Sequence, residues 1–89
     1  MTATEFSSEF QKWDHALLAF ANRLTKNTED AHDLLQETAL RAFRNKDKFE
    51  LGTNFRAWAI TIMRNTFINQ YRRSKSKKAI KTEPIDDML

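Results

Sequence analysis

Glu29-Asp30-Ala31-His32-Asp33-Leu34-Leu35-Gln36-Glu37-Thr38-Ala39-Leu40-Arg41-Ala42-Phe43 carries the spacing of a helix. Ala31, Leu34, Leu35, Thr38, Ala39, Ala42 and Phe43 recur at intervals of three and four, the period of one helical face. The small residues among them let a neighbouring helix approach closely. Asn27 or Thr28 can cap the first turn, and Glu29 and Asp30 sit where the positive end of the helix dipole favours acids. The pattern ends near Asn45-Lys46.

Opposite that stripe, Asp33, Glu37, Leu40 and Arg44 form an outward ridge with Gln36 beside it. Asp33 and Glu37 are like charges four residues apart, a pairing that costs a few tenths of a kcal/mol. Leu40 is apolar in an otherwise polar row. Two readings fit. One is a docking surface, an apolar anchor with an acidic rim that steers a basic partner. The other is a solvated face on which Glu37 pairs with Arg41 and Leu40 is an ordinary exposed leucine.

On the N-terminal side, Phe6, Phe10, Trp13, Leu17, Phe20, Ala21 and Leu24 make a second helical stripe, from about Glu5 to Leu24. On the C-terminal side, Asp47 to Thr53 reads as a loop, and Thr53 is a suitable cap for a third helix from about Asn54 to Lys75. That helix carries Phe55, Trp58, Ala59, Ile62 and Thr66 on one side. Ile60, Phe67 and Tyr71 lie on a second side, with Arg64 between the two. An element apolar on two sides is central in a fold or reserves a face for a partner. Ser74 to Leu89 reads as a fraying basic end followed by a tail, marked by Pro84 and Asp86-Asp87.

The chain has one Gly and one Pro in 89 residues, so breaks are few. The expected fold is all-α, a small three-helix or four-helix bundle. Residues 1–78 are expected to form the domain and 79–89 the start of a linker. A chain this short buries only about 60–65% of its unfolded surface, so each large apolar residue matters.

There is no cysteine, and His15 and His32 stand apart without ligand spacing, so no metal or other cofactor is expected. No apolar run approaches the ~20 residues of a membrane span, and the N-terminus lacks a secretory pattern. The cytoplasm is the expected compartment.

Charge is distributed unevenly. Between Glu29 and Glu37 there are four acids and no Lys or Arg, whereas Arg64 to Lys81 holds seven Lys or Arg and no acid. A basic stretch of this kind suits a nucleic-acid partner, beyond what capping a helix C-terminus requires. Asn65 and Asn69, at the edge of the third helix's apolar stripe, can read base edges. Phe49 can stack on an unpaired base or plug the core beneath the loop. Arg64, Arg72, Arg73 and Lys75, with Lys77 and Lys78, suit phosphate contacts, which position without specifying. An aromatic and polar loop beside a basic helix suits single-stranded or flipped bases better than an intact major groove.

These residues, in this order, resemble region 2 of the extracytoplasmic-function sigma factors of bacterial RNA polymerase. The resemblance rests on Glu29-Asp30-Ala31-x-Asp33-Leu34-Leu35-Gln36-Glu37-Thr38, Ala42-Phe43-Arg44 and Asp47-Lys48-Phe49. It continues through Gly52-Thr53-Asn54-Phe55-Arg56-Ala57-Trp58, Met63-Arg64-Asn65-Thr66 and Tyr71-Arg72-Arg73, and covers about Leu17 to Lys78.

It implies a helical, non-enzymatic transcription-initiation module. Asp33, Gln36 and Glu37, with Leu40 and Arg44 on the same ridge, would contact the clamp helices of the polymerase β′ subunit. Phe49, the loop Glu50, Leu51, Gly52, Thr53 and Asn54, and Asn65 would open the promoter −10 element and hold a flipped base of the non-template strand. An anti-sigma factor is the further partner implied, and no membrane is involved. Members of this family continue through a linker into a region 4, and residues up to Leu89 are expected to hold region 2 and the start of that linker without region 4. The alternatives are a helical regulator that reads duplex DNA and a protein-only helical adaptor.

Overall fold

A computed structural model describes residues 1–50 and 52–82, with residues 73–82 as backbone only. Three α-helices account for most of it: α1 (Ala3–Thr25), α2 (Thr28–Arg44) and α3 (Phe55–Thr82), with a short 3-10 turn at Lys46–Lys48. No strand occurs among the described residues, and the all-α expectation holds.

Each helix start has a chemical cause. At α1 the Thr2 hydroxyl accepts the Glu5 backbone N–H at 3.1 Å, and the Glu5 carboxylate accepts the Thr2 N–H at 2.8 Å. This reciprocal capping box starts the helix two residues before the apolar periodicity does. At α2 the Asn27 side chain accepts the Asp30 N–H at 2.9 Å. Only Lys26 and Asn27 separate the two helices, and Lys26 takes a left-handed conformation (φ 57°) to reverse the chain.

At α3 the cap is Asn54 rather than Thr53: the Asn54 Oδ1 accepts the Ala57 N–H at 3.0 Å. Thr53 instead closes the preceding turn, donating its N–H and its hydroxyl to the Glu50 carbonyl, at 3.1 and 2.6 Å. Gly52 supplies the positive φ of 91° inside that turn. The helix then runs beyond the expected Lys75 to Thr82. No Gly or Pro interrupts it before Pro84, and its Lys and Ala residues are good helix formers. The expected domain boundary at residue 78 falls inside this helix, and the expected tail beyond Thr82 lies outside the described residues.

The ring contacts fix the directions of the helices. Phe6 at the start of α1 meets Phe43 at the end of α2, with centroids 5.5 Å apart. Phe6 also meets Phe55 at the start of α3, at 5.9 Å. Hence α2 runs antiparallel to α1, and α3 returns parallel to α1.

The core between them is Phe6, Leu17, Ala21, Ala31, Leu34, Ala42, Phe49, Phe55, Ala59 and Met63. Two expectations change here. Ile60 and Phe67 pack against the core together with Ile62, so these parts of the two stripes of α3 are flanks of one broad face centred on Ala59 and Met63, whereas Tyr71, the third member of the far stripe, is exposed. Phe43, expected in the α2 stripe, is 40% exposed, because α1 has scarcely begun where α2 ends.

Thr38 is fully buried, and its hydroxyl has no hydrogen-bond partner among the described residues. An unsatisfied buried hydroxyl costs about 1–3 kcal/mol. Thr38→Val is therefore expected to raise stability by about 1 kcal/mol, read as a higher urea midpoint; a lowered midpoint would show that the hydroxyl is in fact satisfied. Phe55→Ala removes a buried ring touching four others and is expected to cost about 3–5 kcal/mol in the same assay.

Candidate protein and nucleic-acid surfaces

The outward ridge of α2 exists as a surface. Asp33, Gln36 and Arg44 are exposed, Leu40 is 45% exposed, and Glu37 is half-buried. Glu37 accepts a hydrogen bond from Arg41 Nε at 3.0 Å, the i,i+4 pair expected for a solvated face. Such a pair is worth about 0.3–0.5 kcal/mol, little enough for a partner to displace it. Asp33 stands to one side of the ridge. With Asp30 and Thr25 it lines a cleft closed by Phe67, Gln70 and Tyr71 of α3.

The nucleic-acid candidates divide into groups. Gly52, Thr53 and Asn54 are exposed beside the turn, as is Glu50, whose carbonyl holds the turn closed. Phe49 is not available to stack on a base: it is 7% exposed and packs on Phe55 and Trp58, with centroids 5.4 and 5.1 Å away. Of its two sequence readings, the structure supports the core plug. Trp58, expected as core, is half-buried and forms an edge of the same cluster.

Arg64, Asn65, Asn69 and Arg72 are all exposed along α3, as is Ile68. Asn65 stands three helical turns beyond Asn54, about 16 Å along the axis at 1.5 Å per residue. The turn and Asn65 therefore cannot close on one nucleotide; they can meet successive nucleotides of a strand laid along the helix. Leu51 and the side chains of Arg73 and Lys75 lie outside the described residues.

The turn does have a close neighbour that the sequence reading left out. A cleft of about 900 Å³ runs between it and the N-terminal half of α1, where Lys12, Trp13 and Arg56 join Gly52, Thr53 and Asn54 in its lining. The Arg56 guanidinium lies 5.9 Å from the centre of the Trp13 ring, within cation–π range. Trp13 was legible only as one more member of the α1 apolar stripe. Nothing local in sequence pairs it with a loop some forty residues away.

Among the described residues no group of three or more His, Asp or Glu is placed to hold a metal ion. No described helix is long and apolar enough to cross a membrane.

Against known proteins, the family model for sigma-70 region 2 matches residues 10–77. The chain belongs to the sigma-70 region 2 family. Over 78 residues it is 41% identical to the ECF RNA polymerase sigma factor EcfG of Rhodopseudomonas palustris, covering 78% of this chain and 43% of that protein. A probable RNA polymerase sigma factor of Haemophilus influenzae is 32% identical over 79 residues, covering 89% of this chain and 40% of that one. Among solved structures, the sigma factor RpoE in complex with the anti-sigma factor NepR from Bartonella quintana aligns with a TM-score of 0.77 and 37% identity. That alignment covers 84% of this chain and 47% of that one. The region 2 chain thus spans less than half the length of these relatives.

Two substitutions test how the turn of this region 2 domain is built. Asn54→Ala is expected to cost about 0.5–2 kcal/mol through loss of the α3 cap. Thr53→Ala is expected to cost less, its backbone N–H still closing the turn. Equal losses in urea unfolding would show that the two residues share the cap.

Proposed function

We propose that this region 2 domain serves transcription initiation as the part of a sigma factor that joins RNA polymerase to the promoter −10 element. It is a binding module and not an enzyme. The observation that carries this reading is the family's D-x-x-Q-E motif, Asp33 to Glu37, on an exposed α2 face beside a solvent-facing Leu40.

In this reading Asp33, Gln36, Glu37, Leu40 and Arg44 meet the clamp helices of the β′ subunit. Leu40 is the apolar anchor, and the carboxylates steer a basic partner onto it. The turn Gly52–Asn54 and the exposed side of α3 receive the non-template strand. Asn65 and Asn69 offer amides to base edges, and Arg64 and Arg72 offer charge to phosphates. Holding unpaired bases offsets an unpairing cost of a few kcal/mol per flipped base and so favours the open duplex. Affinity for DNA by the isolated domain is expected to be low and to fall steeply with salt. An anti-sigma factor is a further protein partner, supported by the aligned RpoE structure, which holds one.

Co-purification with bacterial core RNA polymerase tests the docking half. Wild type is expected to be retained and Glu37→Lys lost, with thermal melts of the two domains within a few degrees. Retention of Glu37→Lys would remove the β′ assignment. For the DNA half, Asn65→Ala is expected to weaken selectivity for one −10 sequence more than total affinity. A uniform loss across sequences would assign Asn65 to the backbone only.

A further inference from the structure

The cleft between the first turns of α2 and the middle of α3 combines charge and aromatic surface. It has a volume of about 570 Å³ and is lined by Thr25, Asp30, Asp33, Phe67, Gln70 and Tyr71. Two carboxylates thus face it, and no Lys or Arg is among its lining residues. Asp30 and Asp33 are exposed, and neither carboxylate has an ion-pair partner among the described residues. Their two full charges outweigh the partial positive end of the α2 dipole.

The opposite wall is aromatic. Phe67 is half-buried and packs against the core, while Tyr71 is 57% exposed. Gln70 is half-buried beside them, with an amide that can both donate and accept. Thr25 is occupied locally: its hydroxyl donates to the Ala21 and Asn27 carbonyls. One wall therefore attracts positive charge and the other offers ring faces, which suits a cation with a flat apolar surface.

That combination selects among occupants. Phosphate is repelled by both carboxylates. A divalent metal ion would find only two of them, too few to hold it. A lysine ammonium answers the charge alone. An arginine guanidinium answers both walls, because its fork matches a carboxylate and its plane stacks on an aromatic ring.

We infer that this cleft is a socket for one arginine side chain of the protein partner that docks on α2, held by Asp30 and Asp33 from one helix and by Gln70 and Tyr71 from the other. The inference rests on the docking reading above and extends that surface from α2 alone onto α3. Asp33 belongs to both parts, so the socket opens at the N-terminal end of the ridge that continues through Glu37 and Leu40. Asp33 and Leu40 are two helical turns apart, about 10 Å along the axis. A partner helix lying on the ridge can therefore seat an apolar side chain on Leu40 and place an arginine in the socket.

The test is the Kd of the 89-residue chain for bacterial core RNA polymerase, measured without DNA. Tyr71→Ala is expected to weaken binding by about 2- to 30-fold, the range for losing one cation–π contact. Tyr71→Phe keeps the ring and is expected to bind as wild type does. Asp30→Asn is expected to weaken binding too, by a factor that shrinks as salt rises. Gln70→Arg supplies a guanidinium from α3 itself and is expected to weaken binding at least as much as Tyr71→Ala. Tyr71 and Asp30 are exposed, so thermal melts of their variants are expected within a few degrees of wild type.

If all of these variants bind as wild type while Glu37→Lys does not, the socket is overturned and docking on the ridge stands. Equal losses in Tyr71→Phe and Tyr71→Ala would assign the contact to the hydroxyl and overturn the stacked guanidinium. Weaker binding of Tyr71→Ala to single-stranded DNA, with polymerase binding unchanged, would also overturn the socket and place Tyr71 on the nucleic-acid side. If wild type itself is not retained by the polymerase, the docking reading falls and the socket falls with it.

Discussion

The packing of Phe55 is the constraint on which the rest of the domain depends. Its ring contacts Phe6 and Phe10 of α1 and also Phe49 and Trp58. These contacts tie the first turn of α3 to the first turns of α1 and to the segment leading into the Gly52 turn. Aromatic pairs of this kind add about 0.5–1.5 kcal/mol each beyond the area they bury, a large share of the stability available to a domain of this size. Because the cluster lies under the turn, the same contacts that hold the helices together also hold the turn's polar groups in place.

Helix direction then separates the two charged surfaces. α3 seats its broad apolar face in the groove between α1 and α2, which leaves Arg64, Asn65, Asn69 and Arg72 facing outward. α2 buries Ala31, Leu34, Thr38 and Ala42 and turns Gln36, Leu40 and Arg44 to solvent. An acidic ridge and a basic helix thus share one small core with different faces free. The two charged surfaces therefore draw on different side chains. The small residues of α2 make this possible, because they let the helices approach closely enough for a short chain to enclose a core.

Particular residues show how far the pattern could be read in advance. The α2 stripe was legible because period alone identifies a buried face, and Ala31, Leu34, Thr38 and Ala42 are buried as their spacing requires. The same period placed the outward ridge, on which Gln36, Leu40 and Arg44 are exposed. Phe49 was not decidable, since a loop aromatic can stack on a ligand or on its own core, and only its neighbours choose between them. Thr53 and Asn54 are both good capping residues, one position apart. The choice fell to Asn54 because the Thr53 hydroxyl and N–H were drawn back to the Glu50 carbonyl by the turn. Met63, fully buried, lies between the two apparent stripes of α3 and is a member of neither.

By itself, then, the sequence determined the elements: three helices, the buried sides of α1 and α2, the acidic and basic segments, and the family. Those properties are periodic or local, fixed by residues within one or two turns of each other. The tertiary structure alone decided what lies across from what. It withdrew Phe49 into the core, merged most of the two stripes of α3 into one face, spread the turn and Asn65 along a helix, and set Trp13 and Arg56 beside the turn. Contacts between distant segments depend on how side chains of different helices fill a shared volume, and no local spacing encodes that.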